Sequence, residues 1–168
     1  NSPIMYLPHL YKGCPSYENG TFYEFVQSYF VAGTGAAGDY YWYRAFVKFN
    51  ISPLFGLKLK TCELKWLLAS MAFAGSGPNA QHSLVLHAID DYGTLDKDDW
   101  GMIDQINYGN VNVYTDTVGL IYSKDVKTRV QALIDLLQNY AAFRFKSDSE
   151  PADGSNANNY RLNEPLLY

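Results

Sequence analysis

Apolar and polar positions alternate with a period of two along several stretches of this chain. From Tyr43 to Phe49, Ala45, Val47 and Phe49 share one face, with Arg44 and Lys48 on the other. That pattern predicts a half-buried strand. From Thr61 to Ala69, Cys62, Leu64, Trp66 and Leu68 fall on one face and Glu63 and Lys65 on the other, predicting a central strand with Trp66 buried. Further strands are expected over Thr21–Val31, Ser83–Ile89, Ala141–Lys146 and Arg161–Tyr168, and a short one near Val111–Tyr114. Gly33–Gly38, Gly75–Asn79 and Ser147–Asn159 are rich in turn-forming residues and read as loops. The period changes once. Val126, Val130, Leu133, Ile134 and Leu137 recur at helical spacing, with Ser123 or Asp125 placed to cap.

Many short strands and a single helix near residues 125–138 predict an all-β fold: an antiparallel β-sandwich, jelly-roll-like, with the helix across one end. No β-α-β alternation is present, which argues against a parallel sheet. A length of 168 residues suits one domain. Residues 1–12, interrupted by Pro3 and Pro8, read as an extended N-terminal arm.

Composition narrows the function. The net charge of −4 offers nothing to neutralise a phosphate backbone, so no nucleic-acid partner is expected. No apolar run reaches the ~18 residues of a membrane span. Tyrosine is the outlier at 15 residues. Many such rings suit surfaces both apolar and wet, such as sugar platforms and protein contacts. Tyr40, Tyr41, Trp42 and Tyr43 run consecutively, and alternation turns about half of them outward, as a possible sugar platform or subunit interface.

The chain starts at Asn1 rather than at Met, and a removed signal peptide is the expectation, with an extracellular or cell-surface location. Sequons at Asn19 and Asn50 agree with that, and Cys14 and Cys62 are expected to form a disulfide in an oxidising compartment.

The order of several segments carries a resemblance. Tyr43-Arg44-Ala45-Phe46-Val47-Lys48-Phe49-Asn50-Ile51-Ser52 resembles the R-s-x-L-x-K-F-D-L-S strand of DNRLRE domains and the related disaggregatase-type repeats. Leu57 to Trp66 is similar to the family's next strand, and Leu84 to Trp100 to its strand and acidic loop. Ser123 to Gln131 resembles its w-D-V-T-x-x-V-q helix start, and Phe143 to Ser147 the strand after it. Asn50 stands where the family usually has Asp, and the N-terminal third is longer and more aromatic. The resemblance implies a secreted sandwich of cell surfaces that binds carbohydrate or builds surface structure and seldom supplies chemistry.

Candidate chemistry is sparse. His9, His82 and His87 show no metal-ligand spacing, and no GxSxG or phosphate loop occurs. No catalytic residues are assigned. The acidic loop offers Asp90, Asp91, Asp96, Asp98 and Asp99, with Asp104 nearby, as a weak calcium candidate; otherwise it is a solvated loop without a cofactor. Two readings remain. One is a structural subunit of a self-assembling sheath, surface layer or fibre, whose partners are copies of itself. Its interface would use chain ends sparse in charge, none from Asn1 to Tyr11 and Glu164 alone from Leu162 to Tyr168: Tyr6, Leu7 and Leu10 in the arm, and Leu166 and Leu167. The other is a carbohydrate-binding module for a polysaccharide.

Overall fold

Strands dominate, as the alternation predicts. The computed structural model describes residues 11–16, 21–24, 30–36, 40–74, 83–93, 102–113, 115–148 and 157–168. They form β1 (Tyr11–Ser16), β2 (Thr21–Glu24), β3 (Phe30–Ala36), β4 (Tyr40–Asn50), β5 (Glu63–Ala74), β6 (Leu84–Ile89), β7 (Ile106–Asn112), β8 (Ile121–Asp125), α1 (Lys127–Asp135), β9 (Tyr140–Ser147) and β10 (Ala157–Leu167). No helix among them is long and apolar enough to cross a membrane.

Every pairing among the described residues is antiparallel. The ladder runs β7-β6-β9-β4-β3-β10-β5-β8. It makes two layers because β4 changes partner along its length. Tyr40–Tyr43 pair with β3 and Ala45–Asn50 with β9. Tyr41 and Ala45 also pair with β1, on the opposite side. A strand that changes sheets turns the corner of a sandwich. The first sheet is thus β7-β6-β9 with the second half of β4. The second sheet is the first half of β4 with β3-β10-β5-β8.

The core fills the space between them. Cys62, Leu64, Trp66 and Leu68 are all buried, the face that alternation assigned to the interior. The Trp66 ring meets Phe145 of β9 edge-on at 5.2 Å between centroids. From the first sheet Ala45, Val47, Phe49, Leu86 and Phe143 join the same cluster. The helix closes one end by burying Val126, Val130, Leu133 and Ile134. Asp125 Oδ1 accepts from the Lys127 amide at 2.8 Å and steadies its first turn. The Gln131 side chain accepts from Leu59 N at 2.8 Å and donates to Leu57 O at 3.2 Å, fastening the helix to the 57–59 segment.

Several expectations change. Between Ala45 and Phe49, β4 is buried on both faces: Phe46 is as enclosed as Val47, and Lys48 is buried too. The strand expected near Val111–Tyr114 begins earlier, at Ile106, and contains Gly109 at φ 77. Asn107 Oδ1 accepts from Gly109 N at 2.7 Å, so a polar pair that reads as a turn instead makes an irregularity inside a strand. β8 was not expected: two of its five residues, Ser123 and Asp125, read as candidates to cap the helix. Leu137 is not on the helix face: α1 ends at Asp135 and Leu137 turns left-handed at φ 54, 65 % exposed. β1 begins at Tyr11, inside the expected arm.

The chain end also departs from its reading as a bare edge. β10 lies between β3 and β5, bonded to β3 over Asn158–Leu162 and to β5 over Ala157–Leu167. Leu167 is a core residue at 6 % exposure and not an interface residue, whereas Leu166 is half-buried on the outside.

Candidate functional site

The outer face of the first sheet carries most of the charge chemistry. Cross-strand register puts Phe46, Arg144 and His87 in one row and Lys48, Ala142 and Ile89 in the next. Such a face is ordinarily solvated. Here the chain leaving β6 lies over it: Tyr92 packs edge-on against Phe46 at 5.9 Å, and Met102 joins the same small cluster with Ile89 and Ala142.

Buried charges need partners, and this covering chain supplies them. Lys48 Nζ lies 3.0 Å from Asp91 Oδ1 and donates to the Gly93 carbonyl. It also stands 4.9 Å from the Tyr92 ring centroid and 4.6 Å from that of Tyr140, so two aromatic faces share its charge. Asp104 accepts from Arg144 through Oδ1 and from Lys146 through Oδ2, the latter at 3.0 Å. Arg144 also donates to the Met102 carbonyl at 3.0 Å. Burial pushes the Asp104 carboxyl up, but the Lys146 and Arg144 hydrogen bonds outweigh it and hold the group below the usual range. His87 Nδ1 stands 3.2 Å from Asp104 Oδ2, outside hydrogen-bond geometry. Burial pushes His87 down to about 4; Asp104 opposes this, and Lys146, Arg144 and Arg44 add to it. The ring is therefore neutral at pH 7.

Beside this layer a cleft of about 360 Å³ opens between α1 and the end of β6. Asp90, Asp91, Arg129, Gln138 and Tyr140 give it polar groups, and Leu133 and Leu136 give it an apolar wall. Asp90 is held through Oδ1 by Arg129 at 3.0 Å and through Oδ2 by Gln105 at 2.9 Å. A second groove, about 190 Å³, lies on the outside of the second sheet, lined by Leu67, Ile121 and Leu166 beside Lys65 and Tyr168.

The residues singled out from the sequence fall differently. Cys62 is a free thiol, buried in the core cluster, and the expected disulfide with Cys14 is corrected. The register gives the reason. Cys14 lies on β1, beside Tyr23 of β2 and along the middle of β4, whereas Cys62 leads into β5 with its carbonyl bonded to Val126 N. Burial, with the charges of Asp125 and Glu63, pushes the Cys62 thiol up to about 12. Tyr40, Tyr41, Trp42 and Tyr43 lie on β4 where it pairs with β3. Asn50 is exposed, and its Oδ1 accepts from Ser52 N at 3.0 Å and Ser52 Oγ at 2.7 Å. Asp90 and Asp91 are each engaged by a cation, and no group of three His, Cys, Asp or Glu side chains able to hold a metal occurs among the described residues. Tyr6, Leu7, His9, Leu10, Asn19, His82, Asp96, Asp98 and Asp99 lie outside the described residues.

The sequence reading missed the Lys48–Asp91 and Arg144–Asp104–Lys146 groups and the cleft. Their signal was present: Arg44 and Lys48, and Arg144 and Lys146, occupy the outward positions of two strands, and an acidic loop follows a third. Compared with known proteins, the chain matches no family model and no curated protein.

Proposed function

We propose that this chain is an extracellular structural unit that packs against copies of itself, without chemistry of its own. The observation that carries the reading is an exposed apolar strip beside an edge strand. Ile121 is 72 % exposed, Leu120 53 % and Tyr168 46 %, around the groove lined by Leu67 and Leu166. β8 is the last strand of its sheet and pairs only with β5 among the described residues. An open edge flanked by apolar side chains favours addition of another strand.

A second copy fits that edge. Two β8 strands running antiparallel and centred on Ser123 would set Lys124 across from Tyr122 and Asp125 across from Ile121. No like charges then face one another, and Ile121 of each copy covers part of the other's edge. A two-fold contact closes on itself, so an extended sheath, layer or fibre needs a second one. The arm, without Lys, Arg, Asp or Glu from Asn1 to Tyr11, is the proposed source through Tyr6, Leu7 and Leu10. The low charged fraction, 18 %, limits repulsion between neighbours. The resemblance to cell-surface sandwich domains points the same way.

Cross-linking tests the contact. In a Cys14→Ser background, Ser123→Cys should give a covalent dimer on mild oxidation, since the proposed pairing sets the residue against its own copy. A Ser123→Cys protein that stays monomeric under oxidation overturns the β8 contact.

A further inference from the structure

We propose that Lys48 and Asp91 condense into an amide, a covalent cross-link from the middle of the first sheet to the chain that covers it. The proposal does not rest on self-packing, because neither residue belongs to β8 or to the groove beside it.

Enclosure sets this pair apart from a surface ion pair. Lys48 lies on β4 opposite Ala142 of β9, and its side chain is 8 % exposed. Its Nζ is 3.0 Å from Asp91 Oδ1. The Tyr92 and Tyr140 ring centroids stand 4.9 and 4.6 Å from the nitrogen and shut it in on two sides. Among the described residues Asp91 is the only carboxylate in ion-pair contact with Lys48.

One residue positions both partners. Gly93 N donates to Asp91 Oδ1 at 3.1 Å, and the Gly93 carbonyl accepts from Lys48 Nζ. The first bond orients the carboxyl group and meets the negative charge that Oδ1 takes on when Cγ is attacked. The second holds one amine N–H on a carbonyl, so that the nitrogen lone pair is free for Cγ. Gly93 adopts φ 59, where a side chain would add strain, so the turn that makes both bonds calls for glycine.

The step balances without a co-reactant. The nitrogen lone pair forms the C–N bond, and the electrons of the C–Oδ2 bond leave with the oxygen. Two of the ammonium protons depart on that oxygen as water, and the third stays on the amide nitrogen. Nothing is oxidised or reduced. Asp91 is 37 % exposed, so solvent can carry protons to Oδ2 and receive the water released. Between separate molecules in water this condensation is unfavourable. Two groups held in contact by a fold react as if at ~10⁵–10⁸ M, which offsets that. The bond forms once and turns nothing over, so the chain still acts on no external substrate. It closes a loop between residues 43 apart in sequence and so restricts the unfolded chain.

Intact-mass spectrometry of the purified chain, denatured just before measurement, tests this. Most of the protein should be lighter than its sequence by one water, and protease digestion should yield a branched peptide that joins the segments holding Lys48 and Asp91. Lys48→Arg and Asp91→Ala should each restore the full sequence mass, and Ile121→Lys should keep the loss, since it disturbs only the self-contact. A wild-type chain at full mass overturns the proposal. So does a water loss that persists in Lys48→Arg, or one that maps to ring closure in the backbone at Asp90 or Asp91 rather than to Lys48.

Discussion

The Trp66 indole Nε1 donates to Asn112 Oδ1 at 2.8 Å, joining β5 to β7 through two side chains that are each 1 % exposed. Asn112 Nδ2 in turn donates to Asp116 Oδ2 at 2.7 Å, and the same oxygen accepts from Val113 N at 3.0 Å. The largest ring in the core is thus fixed by a polar chain as well as by packing. An Asn112→Leu variant leaves the indole N–H buried without an acceptor, a loss of about 1–3 kcal/mol. Trp66→Ala also empties the core and should lose about 3–5 kcal/mol. Urea denaturation measures both, and an Asn112→Leu midpoint equal to wild type would show that the chain of bonds holds nothing.

Acid should weaken the fold in two stages. His87 is depressed to about 4 in the folded chain against 6.5 ordinarily, so between these values the unfolded chain binds the extra proton. Stability then falls as pH drops from 6.5 towards 4, by at most about 3 kcal/mol. Asp104 lies below its ordinary 3.8, so its contribution is complete above that pH and is lost on further acidification. A His87→Gln variant should flatten the first stage and leave the second. Equal pH profiles for variant and wild type would remove His87 as the cause.

Breaking the same group at neutral pH is a separate test. Asp104→Asn leaves Arg144, 3 % exposed at its side chain, and Lys146 without their shared carboxylate. The expected loss is about 3 kcal/mol or more, seen as a lowered thermal midpoint. A change below about 0.5 kcal/mol would mean that the cations find other acceptors.

Leu137→Gly should stabilise the protein. The left-handed conformation costs a residue with a Cβ about 1–2 kcal/mol, and a leucine that is 65 % exposed loses little burial on removal. Glycine's freedom in the unfolded chain offsets part of this, leaving a gain of about 0.5–1 kcal/mol. Thermal melting that shows a loss instead would mean the leucine side chain makes a stabilising contact.

The inner faces of the sandwich were legible because burial is alternate there. Leu64, Trp66 and Leu68 enter the core as a period of two requires. The outer face of the first sheet was not legible, because its cover is a distant segment rather than a strand neighbour. Lys48 and Arg144 look like solvated positions until Asp91, Tyr92 and Asp104 fold over them. The Cys14–Cys62 pairing failed for a similar reason: two cysteines suggest a bond, but Cys14 lies on β1, paired with β2 and with β4 on the edge opposite β3 and β9, whereas Cys62 leads into β5, which pairs with β10 and β8. Leu167 read as an exposed end because nothing local reveals that β10 lies between β3 and β5.

The central claim, self-packing through β8, is tested most directly by sedimentation velocity over a concentration series. Wild-type protein should sediment as dimers or larger species whose proportion rises with concentration, and Ile121→Lys, placed at a 72 % exposed position, should stay folded and associate less at every concentration, keeping only the contact made by the arm. Wild-type protein that stays monomeric throughout, or an Ile121→Lys protein that associates as wild type does, would contradict the account.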